Sequence, residues 1–237
     1  IEENLFPLKP EELKFLEENI LTEGVRDALV VWPKDGELIL VDGHNRYRIA
    51  REHNIPFEIK EKHFKDLDEV LEWVDFNQLG RRNLIDEQRS YVLGRLYERK
   101  KKRMGRPLED EKGEKFSPFK GNHATAKEIA EQSGVSERTV RNAADFAKAV
   151  DKVKEIDRGI ANEVLKGNIK DAKTELPKLV KKNPEKLVEV VKKISAGEGK
   201  SIKQLVVELK RREAQELPFP DGKYRVIYAD PPWQSSG

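Results

Sequence analysis

The chain has 237 residues, and its 46 lysines and arginines against 44 aspartates and glutamates leave a formal net charge of +2. With 38% charged and 37% hydrophobic residues, we expect small cores rather than one large core. The longest apolar run, Ala28 to Trp32, is far short of the roughly 20 residues that a membrane-spanning helix needs. The chain has no cysteine, which excludes disulfides, thiolate zinc sites and thiol catalysis and fits a reducing cytosol.

The first part of the chain is predicted to alternate between helices and strands. A helix begins at Pro10 and ends at Gly24, because its apolar residues recur at helical spacing. Two β-rich runs, 28–32 and 38–41, flank turn-forming residues over 33–36 and predict a hairpin.

Further elements follow that hairpin. The pattern predicts a helix over 45–52, a short strand over 57–59, and helices over 68–79 and 86–103. Together these elements predict an α+β unit with mixed strands.

Charge and composition divide the chain into segments. Lysine and arginine dominate from Arg95 to Arg106, and a mixture of acidic residues, glycine and proline then continues to His123, as is typical of a flexible connector. A second change of composition comes near Leu217. We therefore predict a first domain over 1–103, a linker over 104–123, an all-helical domain over 124–214 and a separate terminal segment over 215–237.

Two capping-box patterns mark helix starts in the predicted helical domain. In this pattern a serine or threonine side chain caps the first turn of a helix, and a glutamate or glutamine follows three residues later. Thr125-x-x-Glu128 and Ser201-x-x-Gln204 both fit it. Each therefore predicts the first turn of a helix.

The strongest local pattern is a helix-turn-helix over 126–144. Such a motif needs a small residue where its helices touch, a glycine at the turn and a cap on the second helix, and Ala130, Gly134 and Ser136 stand at these positions. The start of a recognition helix is where side chains meet base edges. The DNA-binding residues predicted from this placement are Ser136, Arg138, Thr139, Arg141 and Asn142. A helical hairpin that contacts protein is the alternative.

A second pattern predicts a phosphate-binding turn. Residues 41–50 run from a strand through Gly43 into a helix, a geometry that points free backbone N–H groups at an anion. Arg46 and Arg48 add charged donors, and the basic sequence 77–82 could face the same pocket. An amphipathic helix with surface arginines explains the same residues, so both interpretations stay open.

Residues 5–103 resemble the N-terminal domain of the ParB family of chromosome and plasmid partition proteins. Gly43-His44-Asn45-Arg46-Tyr47-Arg48 stands where that family has Gly-Glu-Arg-Arg-aromatic-Arg. Asn77-Gln78-Leu79-Gly80-Arg81 stands where it has Glu-Asn-Leu-Gln-Arg. The helices of 124–212 are similar to the central DNA-binding domain of the family. The resemblance implies an α+β ParB/sulfiredoxin-like domain followed by an all-α helix-turn-helix domain.

In the ParB family this pocket binds CTP with magnesium and switches a clamp that encircles DNA. The resemblance implies the same cofactor in this chain, held by Gly43, His44, Asn45, Arg46, Arg48, Asn77, Gln78 and Arg81. In this chain His44 replaces a glutamate, Asn45 an arginine, and Asn77-Gln78 the metal-binding Glu-Asn pair. Because Mg²⁺ prefers carboxylate oxygens, we expect weakened metal binding, and the residues themselves predict no metal site.

The terminal segment predicts different chemistry. A strand pattern over 223–229 runs into Asp230-Pro231-Pro232-Trp233, which resembles the active-site motif of methyltransferases that act on the exocyclic amine of adenine. The resemblance implies that Asp230 and the Pro231 carbonyl accept hydrogen bonds from the amine, and that Pro231 and Pro232 fix the backbone. It also implies that Trp233 stacks on a flipped base and that S-adenosylmethionine serves the full-length parent.

The alternative for this segment is a proline-rich tail with a packing tryptophan. Since the sequence ends at Gly237, soon after the motif, we expect a truncated α/β methyltransferase stub that is inactive by itself.

These predictions combine into one functional hypothesis, the DNA-binding, ParB-like targeting region of a DNA adenine methyltransferase. The first two domains would hold the third on double-stranded DNA by raising its effective concentration. A CTP-gated partition protein and a ParB-like nuclease are the alternatives. The expected location is the cytoplasm, at a bacterial or mobile-element nucleoid. We expect no membrane partner, and a homodimer is left open.

Overall fold

The computed structural model describes residues 1–80, 84–105, 108–109, 115–116 and 122–216, and the side chains of 1–80, 84–102 and 125–213. Within these residues a small mixed sheet is combined with many helices, which confirms the expected α+β arrangement. None of the helices in this part of the chain is long and apolar enough to cross a membrane.

The first half of the chain contains the mixed sheet. Its elements are α1 (Pro10–Glu23), β1 (Leu29–Lys34), β2 (Glu37–Asp42), α2 (His44–Glu52), β3 (Ile59–Glu61), α3 (Leu67–Leu79) and α4 (Asp86–Gly105). β1 lies in the centre, antiparallel to β2 and parallel to β3. The predicted start of α1 at Pro10 and its end at Gly24, which has φ 76°, are confirmed.

The hairpin turn is shorter than predicted. Pro33 pairs with Leu38, and Lys34 pairs with Glu37. The first two residues of the expected turn 33–36 therefore belong to β1. Asp35 and Gly36 alone form the turn, with φ of 51° and 83°. Two consecutive residues with positive φ are typical of a primed turn, whose twist matches that of the strands. The prediction of a four-residue turn was therefore wrong.

The third strand also begins later than predicted. β3 starts at Ile59, two residues beyond the expected start at Phe57. The Phe57 ring instead packs edge-on against Tyr47, with 5.7 Å between ring centroids. This side-chain contact joins the segment before β3 to α2.

Helix α3 covers one face of the sheet. Trp32 and Val41 from the strands are buried together with Val70 and Val74 from α3. Phe64 packs edge-on against Trp32, with 6.2 Å between ring centroids. These apolar residues form the core of the sheet-containing part.

The second half of the described chain is helical apart from one short strand pair. Its elements are β4 (Leu108–Glu109), β5 (Lys115–Phe116), α5 (Asn122–Ser133), α6 (Glu137–Ile156), α7 (Arg158–Leu165), α8 (Ala172–Lys182), α9 (Pro184–Ser195) and α10 (Ile202–Glu216). β4 and β5 pair antiparallel inside the predicted linker.

The two capping boxes differ in outcome. Ser201 Oγ accepts a hydrogen bond from the Gln204 amide at 3.4 Å just before α10, which confirms the helix start predicted by the second box. The first prediction was wrong, because α5 already begins at Asn122 and Thr125 lies buried inside it. A buried helical threonine cannot act as the residue that precedes a helix.

Helix α4 packs against both halves of the described chain. Leu93, Leu96 and Tyr97 of α4 share a buried apolar cluster with Ile129 of α5 and Val140 of α6. The crossing of α4 and α6 is close at Gly94, where an added Cβ would lie 2.1 Å from the Ala143 carbonyl oxygen. α6 is therefore held tightly against a helix that also packs on α3.

Candidate nucleic-acid interface

A short turn joins α5 to α6. Gly134 adopts a left-handed conformation with φ 66°, and the Val135 amide donates to the Ala130 carbonyl at 3.0 Å. Ser136 caps α6, since its Oγ accepts a hydrogen bond from the Thr139 amide at 3.1 Å. The glycine and the cap stand where the sequence predicts them.

Helix α6 presents different faces to the core and to the surface. Val140, Ala143 and Phe146 are buried, whereas Arg138 and Asn142 are exposed. Because these positions alternate with helical period, the first two turns of α6 form an amphipathic start with a polar outer face.

The five predicted DNA-binding side chains are placed differently. Arg138, Thr139 and Asn142 are exposed, as is the capping residue Ser136. Arg141 is half-buried and forms an ion pair with Glu137 at 2.7 Å. Its guanidinium is therefore already engaged within the helix.

The exposed start of α6 forms one side of a groove of about 580 Å³. Arg138, Thr139 and Asn142 lie on the α6 side. The opposite side is formed by α8, which contributes the lysines Lys173, Lys178, Lys181 and Lys182. These lysines are absent from the sequence-based prediction, because nothing in the linear pattern places α8 beside α6.

Acidic residues partly neutralise the lysines of the groove. Lys181 pairs with Asp145 of α6 at 2.5 Å, Lys178 pairs with Glu175 at 2.7 Å, and Lys173 pairs with Asp86. Lys182 and Arg138 are exposed. Both sides of the groove thus present cationic side chains, which suits a polyanion such as a phosphate backbone.

The turn into α2 has a different environment. Gly43 is buried with φ 95°, and an added Cβ would lie 2.6 Å from Leu29 Cδ2. Arg46 Nη2 donates to Asp42 Oδ2 at 3.2 Å, and Arg48 Nη2 donates to Asn45 Oδ1 at 3.1 Å. The predicted phosphate-binding side chains of Asn45, Arg46 and Arg48 are therefore engaged with one another or with Asp42.

The predicted nucleotide-binding residues at the end of α3 differ from each other in exposure. Asn77 is exposed, but Gln78 is buried. Gln78 Nε2 donates to the Asn4 carbonyl at 3.1 Å, and its Oε1 accepts from the Phe6 amide at 3.4 Å. Gln78 thereby holds the N-terminal segment, and Arg81 lies outside the described residues.

A buried ionic cluster lies next to Gln78. Asp75 is fully buried and accepts hydrogen bonds from Arg95 and, at 3.2 Å, from Arg99. Arg99 Nη2 also donates to Asn4 Oδ1 at 3.1 Å. Burial raises the pKa of Asp75, and the two arginines oppose this rise. The pair of arginines compensates a buried carboxylate and ties α4 to α3 and the N-terminal segment.

The remaining predictions concern the methyltransferase motif and metal binding. The methyltransferase motif, Asp230, Pro231, Pro232 and Trp233, lies outside the described residues. In the part of the chain that the structure describes, no group of three or more histidines, aspartates or glutamates is arranged to hold a metal ion.

Comparisons with known proteins gave matches among solved structures. No protein-family model matches the chain, and no curated protein matches it. The chain is similar to the C-terminally truncated chromosome-partitioning protein ParB from Caulobacter crescentus complexed to the centromeric parS site. The identity is 19% over 87% of this chain and 91% of that chain, and the TM-score is 0.41.

Two more solved structures are similar to the chain. A Pnob8-like ParB-N domain has 15% identity over 80% of this chain and 91% of that one, with a TM-score of 0.40. The truncated Caulobacter crescentus ParB complexed with CTP-gamma-S has 20% identity over 74% of this chain and 89% of that one, with a TM-score of 0.28. At these values, what this chain binds has to be inferred from its own residues.

Proposed function

We propose that the chain binds double-stranded DNA through the start of α6. The observation that carries this proposal is the groove in which Arg138 and Asn142 of α6 face the lysines of α8. An α-helix fits the major groove of B-form DNA, and the N-terminal residues of a recognition helix contact base edges there.

The two sides of the groove have different roles in this proposal. Arg138 and Asn142 are the side chains for base contacts, because arginine can bridge guanine and asparagine can bridge adenine. Lys178 and Lys182 on α8 are exposed and suit phosphate oxygens, which supply affinity without sequence information.

Arg141 has a supporting role in the proposed complex. Its ion pair with Glu137 at 2.7 Å lies on the helix itself, one turn apart. We therefore assign base contact to Arg138 and Asn142 before Arg141.

The test begins with selection of a preferred duplex from a random pool, since the target sequence is unknown. Fluorescence anisotropy then compares binding of that duplex with binding of a scrambled one. Asn142→Ala is expected to reduce the preference between the two duplexes. Equal weakening of binding to the preferred and the scrambled duplex would contradict base contact by Asn142.

The phosphate role of α8 is tested with a double variant and a matched control. Lys178→Gln with Lys182→Gln is expected to weaken binding equally on both duplexes and to flatten its salt dependence. The control is Lys14→Gln with Lys65→Gln, since both lysines are exposed in the first half of the chain. A control that weakens binding as much would contradict a specific role for α8.

We also propose a nucleotide-phosphate site at the start of α2. Gly43 leads directly into α2 with φ 95°, and the first-turn amides of a helix favour anions. Arg46 supports the proposal because its Nε is buried without a hydrogen bond to any described residue. Magnesium is expected to add little, because Asn77 and Gln78 carry amides instead of a carboxylate.

Titration with CTP, with ATP as the comparison, tests the nucleotide site. Arg46→Ala is expected to abolish binding, whereas Arg51→Ala, an exposed position of the same helix, leaves it intact. A CTP-gated partition protein additionally requires that CTP alters association with DNA. Binding that persists in Arg46→Ala would contradict the site.

The link to an adenine methyltransferase rests on Asp230-Pro231-Pro232-Trp233 and remains a proposal. The DNA-binding part would raise the local concentration of target adenines. The test is transfer of labelled methyl groups from S-adenosylmethionine to DNA by the product of the whole gene. Activity that is lost in Asp230→Ala supports the link, and the absence of activity on any duplex contradicts it.

A further inference from the structure

A second basic pocket lies away from the start of α6. It has a volume of about 290 Å³ and lies between α4, the second half of α6 and the N-terminal residues Glu3 and Asn4. The groove described above involves residues 138–146 of α6, whereas this pocket involves residues 147–154. The two are therefore separate features of one helix.

Cationic side chains dominate the lining of this pocket. They are Arg95, Arg99 and Lys102 from α4 and Lys148 and Lys154 from α6. The acidic residues of the lining are Glu3, Glu98 and Asp151. Lys148 forms an ion pair with Glu98 at 3.0 Å, and the buried Asp75 forms ion pairs with Arg95 and Arg99.

Tyr91 lies at the centre of this arrangement. Its hydroxyl donates to Asp151 Oδ1 at 2.7 Å and accepts from Lys154 Nζ at 2.7 Å. Arg95 and Lys154 also lie over its ring, at 5.0 Å and 4.7 Å from the centroid. Two positive groups are thus held close together by one aromatic ring.

The five cations of the lining face three lining carboxylates, and Asp75 next to Arg95 and Arg99 adds a fourth. Burial lowers the pKa of Lys154, and the positive charges of Arg95 and Arg158 lower it further, whereas Asp151 raises it. Arg95 Nε is buried and makes no hydrogen bond to any described residue. An anion beside Lys154 would favour its charged form.

We propose that this pocket binds a multiply charged phosphate group. Lysine ammonium groups and arginine guanidinium groups are the side chains that form strong charge-assisted hydrogen bonds to phosphate oxygens. Lys102, Lys148 and Lys154 approach the pocket from two different helices, so a tetrahedral anion can accept from more than one side. The group can belong to a small free phosphate compound or to a DNA backbone.

Pyrophosphate is the probe for the first experiment, and all proteins compared carry Arg46→Ala so that the site proposed at the start of α2 does not contribute. Its binding is measured by calorimetry, and thermal unfolding in pyrophosphate is compared with unfolding in chloride at equal ionic strength. The variant Lys102→Gln with Lys148→Gln alters two exposed cations and leaves Tyr91, Arg95 and Lys154 in place. The control is Lys14→Gln with Lys65→Gln, both exposed elsewhere.

The expected result is a rise in the unfolding temperature that is specific to pyrophosphate. In the pocket variant the affinity is expected to fall about tenfold or more, because charge-assisted hydrogen bonds are lost. The control is expected to bind like the original chain. Equal pyrophosphate binding by all three proteins, or none above chloride, would overturn the proposal.

A competition experiment distinguishes the two sources of phosphate. If the group belongs to DNA, duplex displaces pyrophosphate and the pocket variant has a flatter salt dependence of DNA binding. If it belongs to a small compound, pyrophosphate binds equally well to the DNA complex. Because the first experiment contains no DNA, its failure leaves the proposed role of α6 untouched.

Discussion

The turn that leads into α2 and the turn that leads into α6 share two features but have different surroundings. Each has a glycine with positive φ, Gly43 at 95° and Gly134 at 66°, followed by a helix with arginines in its first turns. Gly43 is buried against Leu29, whereas an added Cβ at Gly134 would have nothing within 4 Å. The same local pattern therefore produces an enclosed helix start in one place and an open one in the other.

The arginines of the two helices differ in the same way. Arg46 of α2 binds Asp42 at 3.2 Å. Arg138 of α6 is exposed and shares a groove with the α8 lysines. The neighbouring elements, and not the motif, therefore decide which helix start can receive a large ligand. A DNA duplex requires the open helix start, which is that of α6.

The largest effect is expected where α6 is supported by α4. Gly94→Ala would place a Cβ 2.1 Å from the Ala143 carbonyl oxygen, so the helices have to separate. Overpacking of this kind costs about 3 kcal/mol. Chemical denaturation measures the free energy of unfolding, and a variant as stable as the original chain would contradict the close crossing.

Gly43→Ala is expected to have the next largest effect. It combines an unfavourable φ with a contact of 2.6 Å to Leu29 Cδ2, and we expect a loss of about 2–3 kcal/mol. DNA binding at a temperature where the variant is folded should remain unchanged. Loss of DNA binding by the folded variant would contradict the distinction between the two helix starts.

Asn142→Ala is expected to act on recognition and not on folding. Its side chain is exposed, so stability should change little, while discrimination between duplexes should fall by about 1–3 kcal/mol. The measurement is anisotropy on preferred and altered duplexes. Unchanged discrimination between the duplexes would contradict a base contact by Asn142.

Gly134→Ala is expected to cost less than Gly43→Ala. Both glycines have positive φ, but the space around Gly134 is open, so only the backbone conformation is penalised, by about 1 kcal/mol. The two variants are compared by chemical denaturation under identical conditions. A larger loss at Gly134 than at Gly43 would reverse the expected order.

The smallest effect is expected from Lys182→Gln. Removing one phosphate contact should reduce the salt dependence of binding by about one counterion and leave sequence preference intact. Anisotropy at several salt concentrations measures this slope. An unchanged slope would place Lys182 away from the DNA.

Local features of this fold could be predicted from the sequence. Pro10 and Gly24 mark the ends of α1, and Ser136 caps α6, because each depends only on residues a few positions away. Thr125 has the same kind of pattern as Ser201 but lies inside α5, since three earlier residues extend that helix. A local pattern alone does not determine where a helix begins.

Tertiary features could not be predicted in this way. The α8 lysines face α6 only because the chain folds back through α7, and no spacing rule links residues 138 and 182. Gln78 lies in a predicted basic cluster, yet it is buried against Asn4 and Phe6. Burial of a polar side chain depends on distant partners, in this case more than 70 positions away.

The central claim is that the open start of α6, and not the enclosed start of α2, contacts duplex DNA. Salt-dependent anisotropy on the selected duplex tests it by comparing Arg138→Ala with Arg46→Ala. We predict weaker and less selective binding for Arg138→Ala and unchanged binding for Arg46→Ala. Binding that is unaffected by Arg138→Ala, or that requires Arg46, would contradict it.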